Sequence, residues 1–220
     1  IKSGNAALVR TMLTFNPRLK VQMTDGTPLL ELALRKQNPD IVSALLAAGI
    51  PTNTLFVNGM HPMCHLMTRC KADTVKAFVK GAGSAAQRME MGGIGLLQLA
   101  ARTAQKEVVE CVVENLPTAL NREDSQGNLP LFEAARRGNV EIYDFLLEKG
   151  AKVDNTNSAG ETALMHAVLS GKPGMVQHVL EKISPSRITA KDRAGHDALY
   201  YAQQIKNPEI EQIVSGASKK

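Results

Sequence analysis

His61, Cys64, His65 and Cys70 crowd into ten residues. Imidazole and thiolate are the side chains that hold zinc or pair as nucleophile and base. Tetrahedral zinc asks for four such ligands, commonly at paired short spacings. Cys64 and His65 are adjacent, so on a helix they point apart. Cys70 follows Cys64 by six residues, nearly two turns on. This pattern fits a packed cysteine and surface histidines better than a metal site. A Cys–His nucleophile pair would need a third group to orient the base and donors for an oxyanion, and the context supplies neither. No GxxxxGK[ST], HExxH or GxSxG occurs, and the GGIG at 92–95 falls where a repeated turn needs glycine. Cys111, inside VVECVVENL, reads as core. His166, His178 and His196 read as packing or helix-surface residues. Tyr200 and Tyr201 could meet a base or a partner, with packing the favoured reading. The expectation is a protein that is not an enzyme and that carries no cofactor and no metal.

The elements that would position these side chains repeat. Gly26, Gly59, Gly93, Gly127, Gly160 and Gly195 recur every 33 to 35 residues. Seven positions after each comes Ala33, Leu66, Ala100, Ala134, Ala167 or Ala202. Bulky pairs keep the same period: Leu45-Leu46, Phe78-Val79, Val112-Val113, Leu146-Leu147 and Val179-Leu180, with Met12-Leu13 one period upstream. Within 124–154, Gly127 serves a turn and Pro130 suits a first helical turn. Leu131, Ala134 and Ala135 have helical spacing. Gly138 should end the first helix and Asn139 cap the second. Ile142, Phe145, Leu146 and Leu147 give that second helix a buried stripe, and Gly150 ends it. Helices this short are marginal alone. Each repeat must lend its apolar face to the next, which makes a solenoid the physical consequence.

Composition agrees. The 220 residues are 44% hydrophobic but only 4% aromatic, with no Trp, as suits small packed elements built on Leu, Val and Ala. The net charge of +5 allows an acidic partner without demanding nucleic acid. No apolar run is long enough for a membrane span, and no secretory pattern opens the chain. Three cysteines cannot build a disulfide framework, so an intracellular, cytoplasmic setting (the nucleus included) is expected.

The segments DSQGNLPLFEAARRGNVEIYDFLLEKGAKVD, NSAGETALMHAVLSGKPGMVQHVLEK and TDGTPLLELALRKQNPDIVSALLAAG resemble ankyrin repeats, and the resemblance covers nearly the whole chain. It implies an all-α solenoid of about six and a half helix-turn-helix units with short β-turn fingers. A single domain is expected over 1–216. It comprises a partial repeat at 1–22 and repeats near 23–55, 56–89, 90–123, 124–156, 157–191 and 192–216, with a frayed tail at 217–220. The family's histidine slot holds Glu31, Cys64, Gln98, Phe132, Met165 and Tyr200 instead, so its Thr–His bonding is absent or replaced. Residues 83–92 are the least regular and are expected to form a longer finger. Gly4-Asn5 matches Gly138-Asn139, so the chain begins in mid-repeat, and a piece of a longer, monomeric protein is expected.

By the same resemblance, fingers and first helices line a concave, partner-binding side. The two slots that end each first helix hold Lys2-Ser3, Arg35-Lys36, Thr68-Arg69, Arg102-Thr103, Arg136-Arg137, Leu169-Ser170 and Gln204-Ile205. Seven of the fourteen are basic and none is acidic, where composition alone would give fewer than two. Two readings stay open: a ladder for an acidic protein or peptide, or cations that merely suit helix C-termini. The middle fingers carry Val57, Asn58 and Met60, then Met91 and Ile94, whereas a later one carries Gln126 and Asn128. These apolar tips would suit an amphipathic acidic peptide, or would pack between neighbouring fingers. Partner-binding positions are therefore expected at Arg35, Lys36, Arg69, Arg102, Arg136, Arg137, Val57, Asn58, Met60, Met91, Ile94, Gln126 and Asn128. The function expected is a protein-interaction module, with a regulatory or targeting arm of a larger enzyme as alternative. Recognition of an oligonucleotide or phosphoinositide is disfavoured, because the ladder slots hold no aromatic to stack on a base.

Overall fold

The computed structural model describes residues 6–15, 26–103 and 105–219. The expected mid-repeat start at Gly4-Asn5, the slots Lys2-Ser3 and the end of the tail at Lys220 lie outside them. The chain divides between Ala119 and Leu120 into two compact units.

The first unit holds helices α1 (Ala6–Phe15), α2 (Leu29–Arg35), α3 (Pro39–Ala47), α4 (Pro62–Arg69), α5 (Ala72–Ala82), α6 (Ser84–Gln87), α7 (Leu96–Thr103) and α8 (Lys106–Asn115). A two-residue hairpin pairs β1 (Glu90–Met91) with β2 (Ile94–Gly95), and a 3-10 turn spans Pro117–Ala119. The irregular 83–92 stretch thus resolves into a one-turn helix followed by the hairpin. The helices form two rows. The first helices stack as α2, α4 and α7, and the second helices as α1, α3, α5 and α8. Leu45, Phe78, Val79 and Val112 are fully buried between them, each such side chain contributing roughly 1.5–3 kcal/mol.

The second unit repeats the plan with α9 (Pro130–Arg137), α10 (Val140–Glu148), α11 (Ala163–Leu169), α12 (Pro173–Leu180), α13 (Pro185–Ile188), α14 (Ala198–Gln204) and α15 (Pro208–Ala217). First helices α9, α11 and α14 pack in order, and α12 packs on α15. Gly138 takes the left-handed conformation (φ 61°, ψ 37°) at the end of α9, and the Asn139 side chain accepts the Ile142 amide at 3.0 Å. Asn38 and Asn207 cap α3 and α15 in the same way. The local rules read from one repeat therefore recur in both units, but the buried stripe of α10 is Ile142, Tyr143 and Leu146, with Phe145 and Leu147 only half-buried.

Candidate protein-interaction surface

In the first unit α2 ends at Arg35, α4 at Arg69 and α7 at Thr103, one residue past Arg102. Because these three helices are neighbours in one row, their guanidinium groups sit at the same end of adjacent rods. Arg35, Lys36 and Arg69 are exposed and Arg102 half-buried. In the second unit Arg136 and Arg137 are exposed at the end of α9. These helix ends are already served by other side chains. Lys172 Nζ donates to the Arg137 carbonyl at 2.9 Å and to the Gly138 carbonyl at 3.2 Å. Gln37 Nε2 donates to the Arg69 carbonyl at 3.1 Å, while Gln37 Oε1 accepts the Lys71 amide at 2.9 Å. At α4 and α9 a neighbouring repeat thus supplies the group that meets the helix-end carbonyl.

The fingers share one turn. Gly59, Gly127, Gly160 and Gly195 each donate their amide to the residue three before (Phe56, Asp124, Asn157, Asp192) at 2.8–3.0 Å. Beyond that the two units differ. In the second, Asp124, Asn157 and Asp192 each use Oδ1 to accept two further amides of their own finger at 2.8–3.0 Å. Successive fingers are also bonded: Ser158 N to Gln126 O at 2.9 Å and Arg193 N to Ala159 O at 2.8 Å. In the first unit Phe56 fills the anchoring slot and is buried, edge-on to His65 with ring centroids 5.3 Å apart. The amide equivalent to those of Ser158 and Arg193 is that of Val57, and it is taken at 2.9 Å by Oε2 of Glu31.

Of the expected contact residues, Val57 is 67% exposed, Asn58 exposed, and Met60, Met91 and Ile94 half-buried. Gln126 is exposed. Asn128 departs from expectation. It is buried, its Nδ2 reaching Asp124 Oδ2 at 3.1 Å and its Oδ1 accepting Asn157 Nδ2 at 2.8 Å, so it serves the ladder between fingers and faces no visitor. Sequence reasoning missed two residues that bear on these positions. Leu55 is 54% exposed beside Val57, and alternation with buried Phe56 was the available signal. Glu31 had been noted only as the occupant of a histidine slot; an acid four residues before Arg35 was its signal.

The candidate chemistry disperses. His61 Nδ1 caps α4 by accepting the Met63 amide at 3.1 Å. Burial lowers the pKa of His65 first, and the Arg35 and Arg69 charges lower it further. Cys70 points its thiol at the Leu34 carbonyl, 3.7 Å away, and burial lifts its pKa to about 11. Cys111 is core. Among the described residues no three His, Cys, Asp or Glu side chains gather as metal ligands. His65 and His166 are both buried, where a helix-surface place was one of the two expected. Tyr200 departs from its expected packing between helices. It is 38% exposed and stacks on His196 at 3.7 Å, while Tyr201 donates its hydroxyl to Asp192 at 2.6 Å.

Residues 64–157 match the family described as ankyrin repeats in three copies. The chain superposes on the crystal structure of the ankyrin repeat domain of Bcl-3, described as a unique member of the IkappaB protein family. The TM-score is 0.73 at 20% identity, over 97% of this chain and 95% of that one. Residues 64–157 are ankyrin repeats, and the chain has the fold of an ankyrin repeat domain. The likeness to the Bcl-3 domain establishes the fold, and the repeat marks the chain as a protein-binding type of architecture. Relatives in sequence include a probable E3 ubiquitin-protein ligase, XBOS33, of Oryza sativa subsp. japonica, 41% identical over 90 residues. A Caenorhabditis elegans homolog of transient receptor potential cation channel subfamily A member 1 is 33% identical over 85 residues. Those ankyrin segments cover 40% and 39% of this chain but only 17% and 7% of the two relatives. No helix among the described residues is long and apolar enough to cross a membrane.

Proposed function

We propose that this ankyrin array is a non-catalytic interaction module that docks a partner protein or peptide on the face made by the ends of its first helices and its fingers. The observation that carries the reading is the row of Arg35, Arg69 and Arg102 at the ends of adjacent first helices in the first unit, where Gln37 already meets the Arg69 carbonyl. A guanidinium binds a carboxylate with geometric preference, so a row of them at neighbouring helix ends suits an acidic partner. Affinity capture followed by mass spectrometry would supply the partner. Titration of the purified pair would then compare the native chain with Arg69→Glu/Arg102→Glu. A loss of at least about tenfold is expected, as interfacial charge reversals cost over ~1.4 kcal/mol. A partner that binds both proteins equally removes this face from the reading.

The same module would serve a larger protein as its recruiting arm. The ligase relative, in which the matched segment is 17% of the length, supports that second reading. A complete open reading frame without a further domain would remove it.

A further inference from the structure

In the first unit one buried carboxylate ties the basic row to the apolar fingertip. Glu31 is 1% exposed. Its Oε1 accepts Arg35 Nε at 2.8 Å and lies 2.6 Å from Nη2, and its Oε2 accepts the Val57 amide at 2.9 Å. Leu55 and Val57 flank buried Phe56 and both face water. The finger that carries them is fixed: Phe56 N donates to Met60 O at 3.0 Å, and Asn58 Oδ1 accepts the Met60 amide at 3.1 Å. Two apolar side chains are thus held out in solvent by a frame that gives them no route back to the core.

Apart from the buried Glu31, the flanking sequence is basic. No Asp or Glu occurs from residue 41 to 72. Lys36, Arg69 and Lys71 are exposed there or at its border, the last two pinned by Gln37. The fields of Arg35 and Arg69 reach His65, whose ring supports Phe56 from within.

We infer that the Leu55–Val57 tip and the Arg35, Lys36 and Arg69 cations form one docking surface for an acidic peptide segment bearing apolar side chains, with Glu31 positioning the two halves. The inference rests on the interaction-module reading and adds the chemistry of the occupant and the unit that receives it. Carboxylates answer the guanidinium groups, and Leu- or Phe-like side chains answer the tip. A nucleic acid would meet the cations but leave the tip unmatched, because the finger's one aromatic ring is buried.

The test begins with random 12-residue peptides displayed on phage and selected against the whole chain. Enrichment for Asp and Glu combined with Leu, Ile, Phe or Met is expected. A selected peptide, synthesised with a fluorophore, should bind at least tenfold more weakly to Leu55→Asp/Val57→Asp and to Lys36→Glu/Arg69→Glu. It should bind Lys149→Glu/Lys182→Glu, changed at exposed ends of second helices in the other unit, within twofold of the native chain. Glu31→Gln should weaken it severalfold alone and add almost nothing in the Leu55→Asp/Val57→Asp background, whereas a merely structural role would add its loss in full. Circular dichroism checks that each variant is folded. Peptides without acids, no enrichment, equal binding to the tip variant, or displacement by a single-stranded oligonucleotide that binds the tip variant as well would each overturn the assignment. The captured partner and its response to Arg69→Glu/Arg102→Glu would then still decide the broader reading.

Discussion

The finger at 56–60 and those at 124–128, 157–161 and 192–196 close the same turn, yet they are secured from opposite directions. In the second unit each finger anchors itself through an Asp or Asn and bonds to the next finger through backbone. In the first unit Phe56 stands in the anchoring slot, and the finger is held from below by Glu31 of the preceding repeat. A self-anchored finger commits its polar atoms inward and leaves a polar, closely laddered edge. A finger secured by a neighbour can afford apolar side chains at its tip, and Leu55 and Val57 are there.

The largest test of this contrast is at the anchor. Phe56→Ala should cost about 3 kcal/mol through the cavity it leaves. Phe56→Asn, which restores the second unit's anchor, should recover about 1 kcal/mol through hydrogen bonds to finger amides. Denaturant unfolding of both variants reads the difference, and an asparagine no better than alanine would mean the slot has no such preference in this finger.

A second effect belongs to the other unit. His166 is buried, stacked on Phe132 at 5.0 Å, with Glu161 Oε2 at 3.4 Å and neither ring nitrogen hydrogen-bonded. We read Glu161 there as a nearby charge, since 3.4 Å is long for a good bond. Burial holds the His166 pKa down to about 4, against 6.5 for a free histidine; Arg136 adds to the depression, while Glu161 and Asp124 oppose it. Between those values the unfolded chain binds a proton that the folded one does not. Stability is therefore complete above about pH 6.5 and falls as pH drops toward 4, with about 2 kcal/mol lost by pH 5. Unfolding at pH 7 and pH 5 should show that difference shrinking in His166→Phe; an unchanged difference would place the titration elsewhere.

The smallest effect compares two turn glycines. Both have positive φ, 75° at Gly59 and 77° at Gly127. A Cβ at Gly127 would lie 2.6 Å from the Ser158 amide nitrogen, while one at Gly59 would meet nothing within 4 Å. Gly59→Ala should cost about 1 kcal/mol for its backbone conformation alone, and Gly127→Ala about 1 kcal/mol more, because the next finger's backbone must shift. Equal losses in thermal unfolding would mean the two edges are equally open.

Much of this was legible because it is local. Gly138, Asn139 and Pro130 act within a few residues of themselves, and the apolar pairs repeat with the helices they serve. Most of what escaped depends on neighbours one repeat away. Asn128 reads as an exposed turn residue until Asn157 arrives beside it from the next finger. Glu31 reads only as the occupant of a histidine slot, since its partner at Val57 lies 26 positions on and marks itself by no side chain. Tyr200 inherits a slot that packs elsewhere, but here the adjoining His196 offers a face to stack on.

The bond between Glu31 and Arg35 sets the temper of the surface. At the proposed docking surface an incoming acid would meet a guanidinium with two of its three nitrogens already engaged and its plane already fixed. Such a group pulls less from afar than a free cation would, but it rewards only a carboxylate that arrives from the right quarter. The proposed docking edge would thereby discriminate among acidic visitors rather than gather them all.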